Sequence, residues 1–339
     1  MNHFIRCSGA LAALVLMFAL PVAAQQAAAP IVIKFSHVTT SDTPKGKGAD
    51  QFKKLAEERT QGRVKVEVYP NSSLYKDKEE LEALQLGAVQ MLAPSVSKFG
   101  PLGVREFEVF DLPYIFDSIE EMHRITEGPL GQMLLNKLEM RGILGLAYWD
   151  NGFKQMSANR PLKKPDDFKG LKLRIQSSKV LEAQMRTINA LPQVMAFSEV
   201  YQAMQTGVVD GSENTLSNIY TQKHHEVQKF LTLSDHGYIG YAVITNKKFW
   251  DSLPADLRTI LDGAMKDASK LANDVAKKEN DDALEGIRKS GKTQILTLTP
   301  AEKGEWKRVM VKSHRQMEER VGADLIKAFY KETGFDPNK

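Results

Sequence analysis

Cysteine is almost absent, Cys7 being the only one in 339 residues. Beyond the N-terminus this excludes thiol catalysis, cysteine-ligated metal and a disulfide framework. Phosphate loops are missing as well: neither G-x-G-x-x-G nor G-x-x-x-x-G-K-[ST] occurs, so nucleotide chemistry loses its usual handle. There is no G-x-S-x-G nucleophile elbow and no H-E-x-x-H zinc helix. A large excess of one charge is lacking too. The 46 basic and 42 acidic residues leave a net charge of +4, spread along the whole chain, which does not describe a nucleic-acid binder. With 42% hydrophobic and 26% charged residues the composition is that of a globular chain, not a disordered one. The length predicts two α/β lobes or one large domain.

Only one long apolar run exists. Arg6 supplies a positive start, Leu11 to Leu20 is apolar, and Val22 and Ala24 occupy small-residue positions. Residues 1–24 therefore read as a secretory signal cleaved after Ala24. The alternative, a membrane anchor, needs a run of about 18 residues or more. Cys7 precedes the apolar run, where a lipoprotein cysteine does not stand. A soluble secreted chain of this size without disulfides must rely on its core, which suits a large periplasmic domain.

Ile31, Ile33 and Phe35 alternate with more polar neighbours as in a strand, and Thr43-Pro44 supplies an N-cap and first-turn proline. That helix is followed by a Val64, Val66, Val68 strand, a helix with Leu81, Leu84 and Leu86, and a third strand from Gln90 to Ala93. The order β-α-β-α-β implies a parallel sheet with right-handed crossovers. A helix over 118–138 and a strand from Ile143 to Trp149 continue this half. After Trp149-Asp150-Asn151-Gly152, taken as the first domain crossing, the pattern restarts. Strands at 171–175 and 193–197 flank a helix over 179–191, and another helix over 199–206 ends at Gly207. Glu79, Ala83, Leu84, Gln85, Gly87 and Val89 recur as Glu199, Ala203, Met204, Gln205, Gly207 and Val209. The echo is either a duplicated lobe or the common look of a helix-to-strand turn. One long amphipathic helix runs from Ser252 to about Lys289, and a second helical stretch from Pro300 to about Thr333.

Carboxylate pairs Glu57-Glu58, Glu79-Glu80 and Asp281-Asp282 lie among lysines and read as solvated helix faces. His224 and His225, being adjacent, point about 100° apart on a helix, so a solvated face is expected rather than a metal site. His37, just past the first strand, is pocket lining or a turn residue. Arg174 stands out. In Leu171-Lys172-Leu173-Arg174-Ile175 it alternates away from the apolar face, near the C-terminal end of a parallel strand, where open α/β sheets bind ligands. A guanidinium there can grip a carboxylate through two parallel N–H···O bonds. The competing reading is an exposed strand arginine.

The segments W-D-N-G-F-K-Q-M-S-A-N-R-P, D-F-K-G-L-K-L-R-I-Q-S-S and M-A-F-S-E-V-Y-Q-A-M-Q-T-G-V-V-D-G-S-E-N, in that order between Trp149 and Asn214, resemble the extracytoplasmic solute-binding protein of a TRAP transporter. Thr43-Pro44-Lys45-Gly46 and Val194-Met195-Ala196-Phe197 are similar to its C4-dicarboxylate (DctP-type) branch. The resemblance implies an α/β, two-lobed periplasmic-binding-protein-like fold with a ligand cleft between the lobes and long C-terminal helices bracing both. Residues 30–151 with about 240–279 form lobe I, 152–239 with about 280–307 lobe II, and 308–339 a C-terminal helical segment. It further implies capture of a small organic acid and delivery, by lobe closure, to the small and large membrane permease subunits, with no cofactor, no metal and no catalytic step.

By motif position Arg174 matches the family's carboxylate clamp, Phe197 its aromatic wall and Asn214 its amide ligand. Lys154 stands where some members carry arginine, which leaves a point charge instead of a fork. A dianion leaving water must regain its solvation from fixed donors, so at least two cations are needed. Arg174 is expected to hold one carboxylate, with Lys45, in the turn before a helix, or Lys154 answering the second. Ser95 and Ser97 are candidate hydroxyl donors. Tyr238 is a weaker candidate, since an edge-strand tyrosine explains it equally well. Malate, succinate or fumarate is the expected cargo. An aromatic, 2-oxo or sugar acid on the same carrier, a ligand sensor, and a secreted α/β enzyme acting on carboxylates are the alternatives.

Overall fold

The computed structural model describes residues 29–337 together with Met1; the signal-peptide reading falls outside the described residues. Among the described residues ten strands form, Ile31–Ser36 (β1), Val64–Tyr69 (β2), Met91–Leu92 (β3), Ile143–Ala158 (β4), Lys172–Ile175 (β5), Leu191–Val194 (β6), Gly211–Thr215 (β7), Phe230–Leu233 (β8), Tyr238–Asn246 (β9) and Gln294–Thr297 (β10). The helices are Pro44–Arg59 (α1), Glu80–Gln85 (α2), Ile119–Thr126 (α3), Pro129–Lys137 (α4), Lys179–Thr187 (α5), Val200–Gln205 (α6), Leu216–Thr221 (α7), Lys247–Ser252 (α8), Ala255–Ser290 (α9), Pro300–Met310 (α10), Lys312–Gln316 (α11), Glu318–Val321 (α12) and Ala323–Thr333 (α13).

Two sheets share one strand, β4. In the first the order is β2-β1-β3-β9-β4, with β1 parallel to β2 and β3. In the second β4 is followed by β7, β5 and β6, and β8 pairs both β4 and β10. β4 is what joins them: Ile143 to Phe153 pair antiparallel with β9, and Lys154 to Ala158 pair with β7. The strand thus runs on past Trp149, where the sequence reading ended it. Asp150-Asn151-Gly152 is a register shift inside the strand, with Gly152 at φ +151°, so these polar residues bend the ladder instead of breaking it.

Helix ends follow local chemistry. Thr43 caps α1 by accepting from Gly46 N, and Pro44 opens it. A side chain at Gly46 would put its Cβ 2.5 Å from the Ser41 backbone, so this tight entry requires glycine. The helix expected over 118–138 is two, α3 and α4, because Gly128 is extended and Pro129 starts afresh. α5 stops at Thr187, before the Leu191 end expected for it, because Asn189 turns left-handed at φ +58°. The stretch from Pro300 divides into four helices.

α9 braces both lobes. Its Leu257, Leu261, Ala264, Ala268 and Ala272 pack with Phe35 and Trp149 of the first sheet and Phe52 of α1, while Ala283 and Ile287 pack with Leu216, Ile219 and Leu231 beside the second. Small residues allow the close approach: a Cβ on Gly48 of α1 would fall 2.9 Å from that of Ala272. α10 buries Trp306 and Met310 against Phe168 and Leu173, and α13 returns Ile326 and Phe329 to the first lobe's core. Among the described residues no helix is long and apolar enough to cross a membrane.

Candidate functional site

The C-terminal ends of the parallel strands from both sheets converge on one place. After β1 come Val38 and Thr39, after β3 Ser95 and Lys98, after β5 Gln176, after β6 Phe197, and on β7 Asn214; together with Lys45, Asp77, Asn218 and Tyr241 they line a common cavity. This is where a ligand is held in open α/β sheets. The alternation in β5 turns Arg174 away from the core that Leu173 and Ile175 enter; it does not itself line the cavity but stands behind two lining residues, Asp77 and Phe197, and is only 1% exposed. It is therefore not an exposed strand arginine.

Arg174 lends two donors, Nε at 3.1 Å and Nη2 at 2.9 Å, to the single oxygen of Met195, and its Cζ lies 5.7 Å from the Phe197 ring centroid. Nη2 is also 3.8 Å from Asp77 Oδ2. Lys45 belongs to the first turn of α1, not to the turn before it. It is buried, donates to Ala93 O at 3.1 Å and stands 3.8 Å above the Tyr241 ring. Burial and then the neighbouring Lys98 lower its pKa to about 7.

Asn214 Oδ1 accepts from Thr215 N and Asn218 Nδ2, both at 2.9 Å, so the donor end of its amide is what it has left for a ligand. Ser95 Oγ lies 3.2 Å from both Gln176 Oε1 and Ser97 Oγ, the first of these crossing between the lobes. Ser97 sits behind it and donates to Asp111 at 2.6 Å. His37 is buried next to Val38, its Nε2 without a hydrogen bond, and burial followed by Lys45 lowers its pKa to about 3.

Two predicted residues lie elsewhere. Lys154 is buried and donates to Glu213 Oε1 at 2.9 Å, while His236 meets Oε2 at 2.9 Å. Its charge is answered inside the protein, so it is not a spare cation for a second carboxylate. Tyr238 is not on an edge: β9 lies between β3 and β4. It lines a separate cavity of about 390 Å³ with Phe153, Leu216 and Asn280, which contains none of Arg174, Lys45 and Lys98.

Sequence reasoning missed Asp77, Lys98, Glu80, Gln176 and Tyr241. Glu80, expected on a solvated face, is 1% exposed and accepts from Lys98 Nζ at 2.9 Å, and Lys98 also bonds Asp77. Burial raises the Glu80 pKa, with Lys98 opposing. Lys98 is held above the ordinary lysine range: burial lowers it, but Asp77 and Glu80 outweigh that. His224 and His225 are buried too, not solvated. They occupy a short 3₁₀ turn, with the His224 ring 5.7 Å from that of Phe197. No group of three or more metal-ligating side chains forms among the described residues. Nothing in the local pattern marked Asp77 or Lys98; they acquire meaning only when their lobe faces Arg174.

The model of the DctP family, bacterial extracellular solute-binding protein, family 7, matches residues 35–320. A C4-dicarboxylate-binding periplasmic protein, DctP of Rhodobacter capsulatus, is 65% identical over 301 residues, covering 89% of this chain and 90% of its own. A TRAP periplasmic solute-binding protein from Shewanella oneidensis with bound succinate superposes with a TM-score of 0.88 at 44% identity, covering 90% of this chain and 100% of that one. Its counterpart from Pseudomonas aeruginosa with bound L-malate gives 0.83 at 45% identity, covering 85% and 100%.

Proposed function

The chain belongs to the bacterial extracellular solute-binding proteins of family 7, and from that premise we propose that it carries a C4-dicarboxylate such as succinate, malate or fumarate through the periplasm to the membrane subunits of a TRAP transporter. The observation that supports this most is a small cavity at the strand ends lined by two buried lysines, Lys45 and Lys98, the latter already paired with Asp77 and Glu80, with a third buried cation, Arg174 of the other lobe, standing behind the lining residues Asp77 and Phe197. A short dianion needs cations on more than one side and neutral donors between them, and Asn214, Ser95 and Gln176 stand among them.

Closure is the event to be transmitted. The free space between the cavity's side chains is about 10 Å³, room for about one water. An organic acid therefore enters only when the lobes part. A ligand bridging both lobes favours the closed state by the contacts that exist only there. In this reading 30–151 with about 240–279 and 152–239 with about 280–307 move as the two bodies. Their hinge is the β4–β9 crossing, where Asn151 ties Tyr241, Ser217 and Asn280 together.

A thermal-shift panel on the mature protein tests the cargo. A ligand at 100 times its Kd adds about 2.7 kcal/mol of stability, so succinate, malate or fumarate should raise Tm clearly. A shift with an aromatic or sugar acid and none with C4 acids would overturn the assignment. Recovery of the acid unchanged after long incubation separates carrier from enzyme. Co-purification with the small and large permease subunits tests the partner, and the N-terminal sequence of the exported protein tests cleavage after Ala24.

A further inference from the structure

Asp77 comes from the first lobe, in the segment between β2 and α2, yet its carboxylate meets donors of the second. Phe197 N donates to Oδ2 at 2.7 Å, and Arg174 Nη2 stands 3.8 Å from the same oxygen. Lys98 bonds Oδ1. The side chain is 7% exposed. Burial alone would favour its neutral form, but Lys98, then Arg174, and the Phe197 amide hold its pKa below the usual aspartate value. It is thus an ionised carboxylate, placed by the protein on a guanidinium and a peptide N–H, the donors that an acid arriving from solvent requires.

We propose that Asp77 is a resident stand-in for a substrate carboxylate: without ligand it latches the lobes through Phe197 N and Arg174, and an incoming acid takes its place. The inference rests on the carrier reading above. Two consequences follow from charge. Displaced from Phe197 N, Asp77 stays charged on Lys98 beside Glu80, so once a dianion is seated a third carboxylate on the ligand finds no unanswered cation and is rejected. The measured affinity is also reduced by the fraction of molecules in which the latch is made.

Asp77→Asn removes the charge and keeps the shape. It should bind succinate at least tenfold more tightly by calorimetry, and bind tricarballylate measurably where the wild type does not. Small-angle scattering should show a larger ligand-free radius of gyration than for the wild type, converging with it at saturating succinate. Equal or weaker succinate binding by a folded Asp77→Asn protein overturns the latch. A crystal structure of the wild type with succinate decides without any variant. Asp77 displaced from Phe197 N by a ligand carboxylate supports the inference, and the bond retained beside bound succinate overturns it. A wild type that binds no dicarboxylate overturns the functional reading itself and the latch with it, whereas succinate binding with the bond intact overturns the latch alone.

Discussion

Lys154 on β4 and Glu213 on β7 meet diagonally across a strand pair, Nζ to Oε1 at 2.9 Å, with side chains 1% and 2% exposed. Burial pushes the glutamate up, but Lys154 and the hydrogen-bonded His236 outweigh it and bring its pKa down to about 2. Glu213 precedes Asn214 on β7, so its side chain leaves the opposite face of the strand and neither member of the pair lines the cavity. Removing one partner strands the other charge in the interior, which typically costs about 3–5 kcal/mol.

Glu213→Gln should therefore lose stability on that scale in urea unfolding, and Lys154→Met with Glu213→Leu should lose much less, because no buried charge is then left unpaired. Equal losses would show that the ion pair is not the source. The sign with pH follows from the depressed pKa: the pair's contribution is complete above the unfolded glutamate value of about 4.3 and disappears as pH falls toward about 2.

In the proposed function Arg174 is the residue on which binding turns. Its guanidinium is buried; Met195 O accepts from it, and Asp77 stands farther off. Truncating a buried, hydrogen-bonded charge costs about 2–5 kcal/mol or more, so Arg174→Ala should weaken dicarboxylate binding about a hundredfold or more. Arg174→Lys keeps the charge without the fork and should recover only part of that. Calorimetric Kd values for both variants check this. An Arg174→Ala protein that binds like the wild type would remove the clamp from the mechanism.

What could be read from residues alone follows from how local the causes are. The first β-α-β-α-β run was legible because alternation in β1 and the Thr43-Pro44 cap are local signals. Arg174 was legible because its neighbours Leu173 and Ile175 define the strand's inner face. The Gly128-Pro129 break was also local, yet the apolar spacing on either side masked it. Glu80 and His224 misled for another reason. Both look like solvated residues in sequence, and both are buried by a partner far along the chain, Lys98 for one and Phe197 for the other. Lys154 was placed in the clamp by its motif position, but its answering charge lies 59 residues away, beyond the reach of any local pattern.

In the proposed function Lys45 should make binding depend on pH above neutrality. It faces Lys98, Asp77, Glu80, His37 and the Tyr241 ring, and with a pKa lowered to about 7 a growing fraction of it is neutral as pH rises. A dianion binds the protonated form better. Succinate affinity should therefore fall by about tenfold between pH 6.5 and 8.5, a range in which carboxyl groups titrating near 4 stay ionised. Lys45→Met should bind more weakly throughout and show a flat profile. A flat profile for the wild type would mean that Lys45 keeps its charge whether or not ligand is present.

His224 should be one source of the response to mild acid. Both ring nitrogens are buried without a hydrogen bond, and burial, then Arg174, lowers its pKa to about 3. The folded value lies below the unfolded one of about 6.5. The unfolded chain consequently takes up the proton first, and stability is complete above pH ~6.5 and lost progressively toward pH ~3. His37, lowered to about 3 mainly by burial, acts in the same direction. His224→Leu removes two partnerless polar atoms from an apolar site at similar volume, so it should be neutral to stabilising at pH 7.5. Its advantage over the wild type should widen at pH 5, where the wild type is resisting protonation and the variant is not. Tm measured from pH 7.5 to 4.5 for both proteins checks this. Parallel curves would show that the imidazole is charged inside the fold, with an acceptor close enough to hold its proton.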